Sequence, residues 1–215
     1  MKNLFRGLLL AVSLSTIACG AGAQPATYTE GKEYKLVNQI AKPADPKKVT
    51  VEEFFWYGCI HCFHADPTIE AWKAKKPAGV DFKRVPHTLG SPVGELHARA
   101  FYAAEVLNVS DKIHKPLFDA IHEKHQAMST PEQIRALFES VAGVKPAAFD
   151  SAMSSFVVDS QIRRAQQLTM SYVVTSVPTL VVGGKYTTNV TLAGSPEKAM
   201  QVVDFLVEKV KKERK

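Results

Sequence analysis

The sequence predicts an α/β fold with an all-helical domain inserted between the two halves of its sheet. Two observations carry this. β-Branched and aromatic runs bounded by Gly and Pro occur before residue 91 and again after residue 173. Between them, over 92–172, apolar residues recur at helical spacing. A third observation points to chemistry. The apolar run Val49–Tyr57 ends in Gly58 and hands over at once to Cys59-Ile60-His61-Cys62 and a helical pattern.

The chain has 215 residues, 46% of them hydrophobic and 22% charged, enough for a packed core. Residues 1–23 read as a cleaved secretory signal. Lys2 and Arg6 form the positive start, Leu8–Leu14 the apolar stretch, and Ala21-Gly22-Ala23 a small-x-small cleavage site. The alternative is lipid anchoring through Cys19, although Thr16 stands where a bulkier aliphatic residue is usual. Removal of residues 1–23 takes two positive charges from the formal +6, leaving +4, and leaves Cys59 and Cys62 as the only cysteines. So closely spaced a pair cannot staple a fold, because closing a short loop adds little chain-entropy stabilisation. The basic end, Lys209 to Lys215, reads as a solvated helix terminus. Nucleic-acid binding is not expected, since no basic and aromatic interleaving or known module is present.

In the mature chain, 24–91 and 173–215 form the sheet-bearing domain and 92–172 the helical one. A first strand is expected within 33–40, then a loop over 42–48, then the central strand over 49–56. The helix after Cys59 should run to about Lys76, with a kink at Pro67. Val80–Val85 is the next strand, closed by Pro86. In the insertion, helices are expected over Gly94–Leu107, Pro116–Lys124, from Thr130-Pro131 to Gly143, over Pro146–Met153 and over Ser155–Tyr172. Ile134, Leu137, Phe138 and Val141 should share one buried face. Val173–Val182 reads as a strand, Gly183-Gly184 as a hairpin turn, Lys185–Thr188 as its partner, and Ser195-Pro196 as the start of the last helix.

A Cys-x-x-Cys between a buried strand and a helix N-terminus is a thioredoxin-like redox arrangement. Free N–H groups and the positive end of the helix dipole favour a thiolate there. Cys59 is expected to be the exposed reactive thiol and Cys62 the buried resolving one. Half of a zinc site is the competing reading, with His61, His64 or His87 supplying further ligands. His61 can donate to or attract the Cys59 thiolate, or stand idle on the surface. Glu53, six residues before Cys59, is expected inside the sheet core with Lys83 or Arg84 as partner, or with a role in proton transfer at Cys62. Strand alternation also allows Glu52 to be the buried one instead. Val177-Pro178 either exposes the Val177 backbone beside Cys59 through a cis bond, or is a trans proline that merely starts a strand.

Taken together, Phe54-Phe55-Trp56-Tyr57-Gly58, Cys59-Ile60-His61-Cys62, Ser176-Val177-Pro178-Thr179 and Gly183-Gly184-Lys185-Tyr186 resemble the DsbA family of bacterial periplasmic thiol:disulfide oxidoreductases. The resemblance covers about 33–211. It implies a monomeric thioredoxin-like fold with an inserted helical domain, a cis-Pro178, and an acidic Glu53 beneath the site. It also implies no cofactor beyond the Cys59–Cys62 disulfide. The implied partners are unfolded exported proteins with free thiols and a quinone-linked membrane protein of DsbB type that reoxidises the pair. One departure stands out: the family's usual Cys-Pro-His-Cys is here Cys-Ile-His-Cys. Ile60 restores a backbone donor that proline lacks and adds an apolar side chain at the groove. Reductase or isomerase activity and metal binding are the alternatives.

Overall fold

The computed structural model describes residues 27–214 apart from Asn38, Ala41, Pro43 and Ala44. The signal segment 1–23 and Cys19 therefore lie outside the described residues.

Among the described residues five strands form one sheet in the order β1-β5-β4-β2-β3. They are β1 (Lys35–Leu36), β2 (Val49–Phe55), β3 (Val80–Pro86), β4 (Thr179–Val182) and β5 (Tyr186–Asn189). Only β2 and β3 run parallel. The other pairings are antiparallel. Helix α1 (Ile60–Lys75) crosses between β2 and β3, as a parallel pair requires. It passes through Pro67 without a break. The insertion between β3 and β4 holds α2 (Pro92–Val106), α3 (Ser110–His122), α4 (Pro131–Ala142), α5 (Pro146–Met153) and α6 (Phe156–Ser171). A short α7 (Val190–Ala193) and a long α8 (Pro196–Glu213) close the chain.

Both sheet faces are covered, and this explains the composition of β2. Val49 and Val51 pack with Leu180 and Val182 against α8 and α1. Phe54 and Val181 face the other way, into the core of the helical insertion. The expectation that only one of Glu52 and Glu53 is buried is therefore corrected: both are, Glu52 at 8% exposure and Glu53 at 2%. Alternation sends them to opposite faces, and neither face is open to solvent.

Several boundaries differ from the sequence reading, each for a local reason. Helix α3 begins at Ser110, and Pro116 lies inside it rather than at its start. Val141 is 40% exposed and lies off the buried face formed by Ile134, Leu137 and Phe138. The strand expected over Val173–Val182 is only β4, because 173–178 holds the capping turn that follows α6 and the bend into a cis Val177–Pro178 bond. Helix α4 follows its signals closely: Thr130 and Gln133 form a capping box, and Gly143 closes the helix at φ 67°. Gly183 and Gly184, at φ 63° and 65°, are the central residues of the turn between β4 and β5, which the Lys185 N–H closes on the Val182 carbonyl at 3.1 Å.

Candidate active site

Cys59 is the N-cap of α1. Its extended backbone leaves the sulfur pointing back over the first turn, where it accepts a hydrogen bond from the Cys62 N–H at 3.4 Å. Both cysteines are free thiols here, Cys59 half-buried and Cys62 fully buried. The Cys59 thiol is pushed down to about 6. Its largest cause is the hydrogen bond from the Cys62 thiol, which outweighs burial; the backbone N–H groups of Cys62 and His61 follow, and the His61 charge comes last. The His61 side chain, exposed on the first turn, thus contributes less than the backbone around it. Burial pushes Cys62 strongly upward, and its hydrogen bond to Cys59 adds to that. A partly exposed low thiol beside a buried high one is a divided pair, one nucleophile and one held in reserve.

The loop from β2 is braced on several sides. The Cys59 N–H donates to the Trp56 carbonyl at 3.0 Å. The Trp56 ring fills the place a Cβ would take on Gly58, so the glycine is required by its neighbour. His122, at the end of α3, meets the Tyr57 carbonyl at 2.7 Å and stacks on Phe63 at 5.0 Å. Across the groove, the Val177 carbonyl lies 3.5 Å from the Cys59 sulfur, which brings the second signature of the sequence onto the first. Ile60 is 42% exposed beside them.

Beneath Cys62 lies a buried charged cluster. Arg84 is adjacent to Glu53 across the β2–β3 register and donates to it through Nε at 2.8 Å. Its two other nitrogens reach Glu70 at 2.6 Å and Asp66 at 2.9 Å. Lys83 points outward to Asp81, so Arg84 is the partner of Glu53. Burial raises Glu53; Arg84 and His114 oppose that and Asp66 reinforces it, with a net rise. For Asp66 burial is again the largest cause, but the hydrogen bond from His114 and the charges of His114 and Arg84 together hold its carboxyl below the usual range. His114 sits between Asp66 and the Tyr57 hydroxyl, 3.0 Å from each.

Asp66, Glu70 and His114 carry no mark in the sequence reading, whereas Arg84 is one of its two candidate partners for Glu53. Asp66 had a readable signal, since it lies one turn beyond Cys62 on the same buried face. His114 had none, because only the docking of α3 brings it there. Among the described residues, the donor atoms close enough together to hold a metal belong to Asp66, Glu70 and His114, not to Cys59 and Cys62. Arg84 already supplies the cation between the two carboxylates.

Strand, Cys-x-x-Cys, helix and a facing cis-proline on one mixed sheet define a dithiol–disulfide exchange protein of the thioredoxin superfamily. Residues 78–201 match the model of the DSBA-like thioredoxin domain family. Over 97% of both chains the protein is 39% identical to the thiol:disulfide interchange protein DsbA of Pseudomonas aeruginosa. It is also 39% identical to that of Burkholderia cepacia, over 98% of both. The crystal structure of Pseudomonas aeruginosa DsbA superposes with a TM-score of 0.81 at 38% identity, covering 86% of this chain and 96% of that one. The DsbA from Xylella fastidiosa gives 0.77 at 29%, over 86% and 98%. The chain belongs to the DsbA family and is a protein-disulfide oxidoreductase. The matched family segment starts beyond Cys62, whereas the full-length relatives span the cysteine pair as well.

Proposed function

We propose that the protein donates its Cys59–Cys62 disulfide to newly exported polypeptides in the periplasm. The observation that carries this is the divided pair: Cys59 low and reachable, Cys62 high and buried. A substrate thiolate attacks the Cys59 sulfur, the Cys59–Cys62 bond breaks, and Cys62 leaves and takes a proton. A second substrate thiolate then attacks the substrate sulfur of the mixed disulfide and expels Cys59 as thiolate. The substrate leaves oxidised and the enzyme reduced, with two electrons transferred. A stabilised Cys59 thiolate is a good leaving group, which favours this direction.

The substrate chain lies extended along Val177, held through backbone hydrogen bonds, while Ile60 offers it apolar contact. Glu53 takes and returns the Cys62 proton, and His61 assists Cys59 through its charge. The helical domain of 92–172 completes the site as a cover and brace. The protein works as a monomer with no cofactor beyond its disulfide, and a quinone-linked membrane protein of DsbB type regenerates it. The signal of 1–23 accounts for export.

Two variants test the scheme. Cys59→Ser abolishes turnover. Cys62→Ser, which cannot resolve, accumulates mixed disulfides with exported proteins that non-reducing gels separate and thiol reductants release. A Cys62→Ser protein that stays free of adducts in an oxidising export compartment contradicts the scheme.

A further inference from the structure

We propose that His114, supplied by the helical insertion, is a positioning residue for the chemistry of Cys62, acting through Asp66 and Arg84 on Glu53. This rests on the reading of Glu53 as the proton acceptor for Cys62.

Hydrogen-bond accounting fixes the arrangement. Asp66 is ionised and can only accept, so His114 Nε2 must carry a proton and donate to it. Nδ1 pairs with the Tyr57 hydroxyl at 3.0 Å, accepting from it in the neutral ring and donating to its oxygen in the protonated ring, and in both forms Nε2 remains the donor to Asp66. The result is a buried relay, Tyr57 to His114 to Asp66, that meets the Arg84 guanidinium at the same Asp66 oxygen. Burial raises Tyr57 far above its ordinary range, so its hydroxyl stays a donor.

Arg84 is one cation shared by three carboxylates, and each draws on it. Lys73 supports Glu70 from the solvent side. Among the described residues, His114 and Arg84 are the groups that hydrogen-bond to Asp66, while Lys73 acts on it through its charge alone. With the His114 donor in place, Asp66 needs less of Arg84, and Arg84 Nε stays with Glu53. Without it, Asp66 competes harder, and Glu53 holds its proton to higher pH. The charged or titratable groups around His114 include Asp66, Glu70 and Lys73 from α1, Arg84 from β3, Glu53 from β2, Tyr57 from the loop, Glu105 from α2, Arg164 from α6, and Asp111 and Lys115 on its own helix. All but Glu53 line one cavity of about 770 Å³ between β3 and the helices, so the cluster communicates with solvent from behind the site.

The test follows release of glutathione from the Cys59–glutathione mixed disulfide across pH. In that step the Cys62 sulfur attacks the Cys59 sulfur, glutathione thiolate leaves, and the Cys62 proton goes to Glu53. His114→Leu moves the midpoint of the profile upward and slows release about tenfold on its acidic side, corresponding to about one pKa unit. His114→Gln, whose amide nitrogen can still donate to Asp66, stays within about threefold of the parent. Asp66→Asn moves the midpoint downward, because a charge that opposes ionisation of Glu53 is gone. If His114→Leu fails to fold, His114→Asn, too short to reach Asp66, carries the same upward shift. Unshifted profiles, or shifts of the same sign for His114→Leu and Asp66→Asn, overturn the proposal. Loss of Cys62-dependent release in the parent protein itself would instead overturn the reading of Cys62 as resolving thiol, so the two failures are distinct.

Discussion

Cys59 owes its character to a few short-range contacts rather than to the histidine beside it. The Cys62 thiol and two N–H groups of the first helical turn do most of the work; the N–H groups come with any cysteine at an N-cap, and the thiol comes with the Cys-x-x-Cys spacing. That much was legible, because Gly58 before the pair and helical spacing after it set the N-cap. His61 lowers the thiol further through its charge, less than the groups that touch the sulfur because its exposed ring acts through solvent. The low thiol has a consequence for stability. In the folded, reduced protein Cys59 titrates near 6 against an ordinary value of 9. A depressed acid stabilises the fold fully above its unfolded value and loses that contribution as pH falls through the folded one. Cys62, raised when folded, works the other way only above about 9. The reduced protein should therefore gain thermal stability relative to the oxidised one between pH 5 and 8. Alkylation of Cys59 should titrate with a midpoint near 6. Parallel melting curves over that range, or a midpoint near 9, would contradict this.

At the scale of elements, the clearest departure from sequence lies at the end of α6. Val173-Val174-Thr175 is β-branched and reads as strand, yet Val173 adopts φ 54° as the left-handed residue that closes the helix. The Val174 N–H donates back to the Thr169 carbonyl, which identifies a C-terminal capping turn. Propensity lost because the tertiary path needs the chain to reverse there and present Val177 to Cys59. A β-branched residue in this conformation costs about 1–2 kcal/mol. Val173 is 54% exposed, so removing its side chain forfeits little packing. Val173→Gly should raise stability by about 1 kcal/mol in denaturant melts; a loss of that size would show that Val173 is instead held by contacts. The second departure, Pro116 inside α3, has the same lesson. A proline rule placed the helix start there, but Ile113, His114, Leu117 and Phe118 share a buried face that spans the proline. Packing of that face outweighs the lost hydrogen bond.

For the whole molecule, the sheet and the insertion divide the labour. The sheet holds Cys59, Val177 and Glu53 in register, all on elements marked in the sequence by Gly, Pro and Cys. The insertion supplies His114 and His122, which touch the site's underside and loop from α3, and neither carries a local sequence mark. The cost of burying a lone carboxylate pointed to Lys83 or Arg84 as the partner of Glu53, but only the double-sided burial of the sheet showed that Glu52 is enclosed too. The central claim is that these parts together make the disulfide a strong donor in spite of Ile60. Equilibrating the Cys59–Cys62 pair against glutathione buffers tests it directly, since about 30 mV changes the constant tenfold. The expected potential lies well above that of glutathione, toward about −120 mV, the established figure for DsbA itself. A value near −270 mV, in the range of thioredoxin, would mean that Ile60 has reset the pair and that the protein reduces disulfides instead.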